Sequence, residues 1–149
     1  MMAWRLRTKL VALALAIGSL YPAMSVAQQP RTVAEGVYTT EQADRGKKGY
    51  GVFCESCHAA DLSGTNSGDS GAPPLRRVGF MAGSDANALF TKIRQTMPFD
   101  APGGLSADEY VDILAFIFRE NGFPAGRDPL VADATKLQAI RIVRLAAQP

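Results

Sequence analysis

Both cysteines and the only histidine of this 149-residue chain fall within five consecutive positions, Cys54-Glu55-Ser56-Cys57-His58. This clustering removes every mechanism that needs a second histidine or a third cysteine. A separate Ser-His-Asp triad is out, as are zinc sites of four cysteines or of two cysteines and two histidines, and iron–sulfur clusters held by four cysteines. The C-x-x-C-H spacing instead reads as c-type haem attachment. Two thiols three residues apart at the end of a helix reach the two vinyl groups on one porphyrin edge. The histidine that follows is then directed under the iron, for which its imidazole is a good ligand. Three alternatives stay open. A zinc site of Cys54, Cys57 and His58 lacks a fourth Cys or His. A structural disulfide suits an exported protein. A redox C-x-x-C expects a strand before it and a helix after it, whereas here the cysteines close a helix.

Ahead of the cluster, residues 1–9 carry Arg5, Arg7 and Lys9, and residues 10–20 are continuously apolar or small before Pro22. Ser25-Val26-Ala27 then offers small residues for a cut after Ala27. This is the order of a secretory signal peptide, so 1–27 is expected to be removed on export to the periplasm. The alternative is an uncleaved anchor, although eleven apolar residues are short for a span of roughly 20. The leader holds three of the 16 basic side chains and none of the 14 acidic ones, so the mature chain has 13 against 14, net −1. That balance gives no case for nucleic-acid binding. With 47% apolar and 20% charged residues, the chain is neither a disordered tail nor a multi-span membrane protein.

Residues 28–38 read as a loose lead-in, 39–131 as one domain and 132–149 as a tail. Thr39-x-x-Gln42 opens a helix expected from about Thr40 to Phe53, with Gly46 and Gly49 implying close approach by another segment or a flat ligand. Residues 60–74 form a Gly-, Ser-, Asn- and Asp-rich loop. A second helix runs from Ser84-Asp85-Ala86-Asn87 to about Gln95. Ser106-x-x-Glu109 opens the strongest, Ala107 to about Glu120, ended by Asn121-Gly122 and Pro124. The tail carries at most a short turn at Leu137, Ile140 and Val143, and no strand pattern is evident. With His58 the sole histidine, the second axial ligand must be a softer group, Met81 or Met97. Met97 is preferred, because it follows the second helix and Pro98 stiffens its loop.

These features together resemble a class I cytochrome c. Gly46 and Tyr50 precede Cys54 by eight and four residues, the family's small-x-x-x-aromatic spacing, and Ile113-Leu-Ala-Phe116 is similar to the helix that crosses it. Ala72-Pro73-Pro74-Leu75 resembles the segment whose proline carbonyl, best matched by Pro73, accepts the proximal histidine's N–H. Thr96-Met97-Pro98 resembles the distal ligand loop. The stretch from Gly36 to Val131, about two thirds of the chain, is most similar to the haem c modules of pyrroloquinoline-quinone alcohol dehydrogenases. Gly71–Leu75, Thr96–Pro98, Pro102–Ser106, Glu109–Phe116 and Asn121–Gly126 carry that likeness. Arg76-Arg77 and the tail after Asp133 lie outside it.

The resemblance implies an all-α cytochrome c fold, three to four short helices around one haem c bound through Cys54 and Cys57. It implies iron held by His58 and Met97, with both axial positions filled and single-electron transfer rather than catalysis. Phe53, Leu62, Leu75, Phe80, Leu89, Phe90, Ile93 and Phe99 are candidates to line the pocket. The expected donor is a quinoprotein dehydrogenase and the expected acceptor a terminal oxidase or another cytochrome. A basic rim of Arg76, Arg77, Lys92 and Arg94 is weighed for docking against a merely solvated surface. Competing readings are a haem enzyme or gas- or peroxide-binding protein with an open sixth position, and a permanent subunit of a dehydrogenase complex.

Overall fold

Each long helix begins where a short polar side chain caps its first turn. The structure, a computed structural model, describes residues 31–65, 71–77 and 80–145. A strand β1 (Arg31–Thr32) and a 3-10 turn (Val33–Glu35) lead into α1 (Thr40–Phe53) and the single turn α2 (Glu55–His58). Next come α3 (Ala86–Thr96) and α4 (Ala107–Glu120), then α5 (Ala134–Gln138) and β2 (Ile140–Arg141). The caps are Thr39, Asp85, Ser106 and Asp133, each accepting a backbone N–H two or three residues into its helix. The Ser106–Glu109 box is complete, with Glu109 reaching back to the Ser106 N–H at 2.8 Å. The Thr39–Gln42 box is half-formed. Gln42 is buried and turns away to Leu130, donating to its carbonyl and accepting from its N–H, both at 2.8 Å.

The core is the crossing of α1 and α4. Gly46 permits it, for a Cβ there would stand 1.8 Å from the Asp112 carbonyl oxygen. Arg45 grips the Asp112 carboxylate beside the crossing with two hydrogen bonds, at 2.7 and 2.9 Å. Gly49 is less constrained, its Cβ position meeting only the Ile113 side chain at 3.3 Å. Tyr110, Val111 and Ile113–Phe118 of α4 are all buried, and Tyr50 packs on Phe116 with ring centroids 5.1 Å apart.

The all-α class and the bounds of the three long helices hold. Five helices occur among the described residues where three to four were expected, the additions being α2 and α5. Two features depart from the expectation. Residues 31–38 are not a loose lead-in, because Val33, Val37 and Tyr38 are buried in the core. The tail also enters the core, through Leu137, Ile140 and Ile142. It supplies β2, which pairs in parallel with β1, Arg31 opposite Ile140 and Thr32 opposite Arg141. A two-residue strand is too short to show a periodicity. The expected leader, 1–27, and residues 28–30 lie outside the described residues.

Candidate haem-binding site

Helix α1 delivers the cysteines. Its last hydrogen bond runs from the Cys54 N–H to the Tyr50 carbonyl, and α2 starts at once, turning Cys57 and His58 back under it. Cys54 is half-buried and Cys57 exposed, and both thiols are free. Burial, and next the neighbouring Cys57, push the Cys54 thiol up to about 11. A redox C-x-x-C nucleophile needs the opposite shift. Among the described residues no three His, Cys, Asp or Glu side chains converge as a metal-ion site would.

His58 is 5% exposed, and its Nδ1 lies 2.9 Å from the Pro73 carbonyl oxygen. A carbonyl only accepts, so the ring proton sits on Nδ1 and the Nε2 lone pair is left for a metal. The donor set therefore fits a c-type haem: two thiols for attachment and one oriented imidazole for iron. The loop that brings Pro73 round is tied by Leu75 N–H to the Leu62 carbonyl and by Thr65 N–H to the Ala72 carbonyl. Asn121, just past α4, donates to the Leu75 carbonyl and accepts from Arg77 N–H, anchoring the same loop.

Met97 closes α3. Its N–H makes the last helical bond, to Ile93, and its carbonyl accepts from the Tyr110 hydroxyl at 2.7 Å. Met81, the rival ligand, sits at positive φ (49°) before α3, partly buried against the core. The attachment turn and the Met97 loop face each other across a groove of about 310 Å³, lined by Val52, Phe53 and Ser56 on one side and Pro98, Asp100, Ala101, Gly104 and Leu105 on the other. A larger hollow of about 620 Å³ lies elsewhere, between Arg31–Val37 and Asp128–Ile140, and touches none of these groups.

Of the candidate pocket residues, Leu62, Phe80, Leu89 and Phe90 are buried, and Leu75 and Ile93 pack on the core. Phe53 (37% exposed) and Phe99 (85%) instead stand at the surface with Val52 (73%). Arg76, Arg77, Lys92 and Arg94 are exposed. The sequence reading places Tyr50 and Tyr110 on apolar helix faces and misses what their hydroxyls do. Tyr50 donates to the Ala59 carbonyl, directly after His58, at 2.7 Å, and Tyr110 donates to Met97. Their signal was only that a buried tyrosine on an apolar helix needs a partner for its hydroxyl.

No curated protein and no solved structure matches the chain. Residues 41–117, just over half of it, match the family model described as cytochrome c oxidase, cbb3-type, subunit III. That match spans α1, the C-x-x-C-H turn, the Met97 loop and most of α4, so the chain belongs to this cytochrome c family: it is a monohaem class I c-type cytochrome, an electron-transfer protein with haem c bound covalently at Cys54 and Cys57.

Proposed function

We propose that this cytochrome works in the periplasm as a carrier of single electrons, from a dehydrogenase of the pyrroloquinoline-quinone type to a terminal oxidase or another cytochrome. His58 would hold the iron through Nε2, with its Nδ1–H held by Pro73, and Met97 would supply the second ligand. The observation that carries this reading is the hydrogen bond between the buried His58 ring and the Pro73 carbonyl, which fixes tautomer and ring direction together. The haem, when bound, supplies a one-electron couple, and thioether ligation raises its potential. The protein's part would be to hold that group through Cys54, Cys57, His58 and Met97. The exposed Val52 and Phe53 line the groove between the two ligand segments, and they and the exposed Phe99 suit a small transient contact with a redox partner.

The leader supports the compartment, and N-terminal sequencing starting at Gln28 is the expected outcome there. The quinoprotein donor rests on sequence likeness alone, that of Gly71–Leu75, Thr96–Pro98, Pro102–Ser106, Glu109–Phe116 and Asn121–Gly126. A second reading, a permanent subunit of a larger oxidoreductase, is favoured by the description of the matching family. Size-exclusion of the native extract separates a free carrier from a subunit.

The deciding experiment is a reduced-minus-oxidised visible spectrum with a redox titration. A six-coordinate protein has a weak far-red thioether band, lost in Met97→Ala, and binds carbon monoxide or cyanide slowly. Rapid, tight binding by the unmodified protein favours the open-site readings instead.

A further inference from the structure

We propose that Tyr110 is a positioning residue for the sixth ligand: its hydroxyl pins the backbone of Met97 and thereby keeps the thioether side of the site closed. The proposal rests on the assignment of Met97 as that ligand.

Tyr110 stands on the first turn of α4 and is 1% exposed. Its ring is braced edge-on by Phe90, centroids 6.4 Å apart at 88°. Its hydroxyl reaches the Met97 carbonyl at 2.7 Å. The N–H of the same residue is held by Ile93 at 2.8 Å. Each polar backbone group of Met97 is therefore taken by a different helix, the N–H by α3 and the carbonyl by α4. The chain from Pro98 to Leu105 has no comparable tether. Among the described residues its hydrogen bonds stay inside the loop, Ala101 to Pro98 and Gly104 to Ala101. The Tyr110 bond is thus the one that ties this loop's ligand end to α4, and α4 is locked across α1 at Gly46. Since α1 runs straight into Cys54, one helix pair sets both the thiol side and the thioether side of the site.

Deleting the hydroxyl leaves the ring packed and frees only the carbonyl. The loop then opens more often and admits an exogenous ligand faster. The test is the rate of cyanide binding to oxidised, fully matured Tyr110→Phe, read beside its far-red band. A rise of about tenfold is expected, the equivalent of one hydrogen bond, with the band retained in the resting protein. Tyr38→Phe is the matched control. Tyr38 is an equally buried tyrosine whose hydroxyl donates to a backbone carbonyl, that of Phe123, outside this loop. It is expected to lower thermal stability while leaving the cyanide rate unchanged. An unchanged rate in Tyr110→Phe, or an equal rise in Tyr38→Phe, overturns the proposal. Met97→Ala separates the premise. If it keeps the far-red band, the ligand assignment fails and the proposal with it. If the band is lost while Tyr110→Phe binds cyanide at the unmodified rate, only the role of Tyr110 fails.

Discussion

Ala59, directly after His58, has φ 62° and ψ 155°, a region that essentially only glycine occupies without strain. Its carbonyl is held there by Tyr50. Strain of this kind costs about 1–3 kcal/mol, against about 0.5–1 kcal/mol for the extra chain entropy of glycine. Ala59→Gly is therefore expected to stabilise the holoprotein by about 1 kcal/mol, measured by thermal unfolding, with its visible spectrum unchanged. Side-chain types were legible at this scale, but their partners were not. Cys54, Cys57 and His58 announce their chemistry by spacing alone. Pro73 was reachable only through family likeness, because nothing local ties position 73 to position 58. Tyr110 read as one more apolar position of a helix, since the carbonyl it meets lies 13 residues away across a loop.

The helices were more legible than the residues they position. α1 and α4 begin and end at the expected residues because the signals are local: a capping hydroxyl or carboxylate at one end, and at the end of α4 a glycine at positive φ, Gly122. Their crossing gives a contrast between two glycines. Gly46→Ala forces backbone against backbone and is expected to cost more than about 3 kcal/mol, the upper range of overpacking. Gly49→Ala meets only a movable Ile113 side chain and gains helix propensity, so it is expected to stay within about 1 kcal/mol of the unmodified protein. Urea unfolding of the two holoproteins decides this. The salt bridges Arg45–Asp112 and Arg119–Asp44 span the same helices at the surface and should add little, since exposed pairs are worth roughly 0–1 kcal/mol.

At the scale of the molecule, the sequence suggested a haem domain with loose ends, and the ends prove to be core. Leu137, Ile140 and Ile142 each bury a side chain worth roughly 1.5–3 kcal/mol. Deleting residues 132–149 should therefore cost about 5 kcal/mol or more, comparable with the total stability of a small domain, about 5–15 kcal/mol. Poor accumulation of the truncated holoprotein, or a transition shifted far down in temperature, is the expected result. An unshifted transition would return the tail to the surface. The pairing responsible was invisible because it joins residues more than a hundred positions apart through two residues on each side. It also orders assembly. On export N-terminus first, Arg31 emerges long before Ile140, and the attachment helix meets Ile113 only after the Met97 loop has emerged. Until then the segment bearing both thiols has no partner helix on its glycine face.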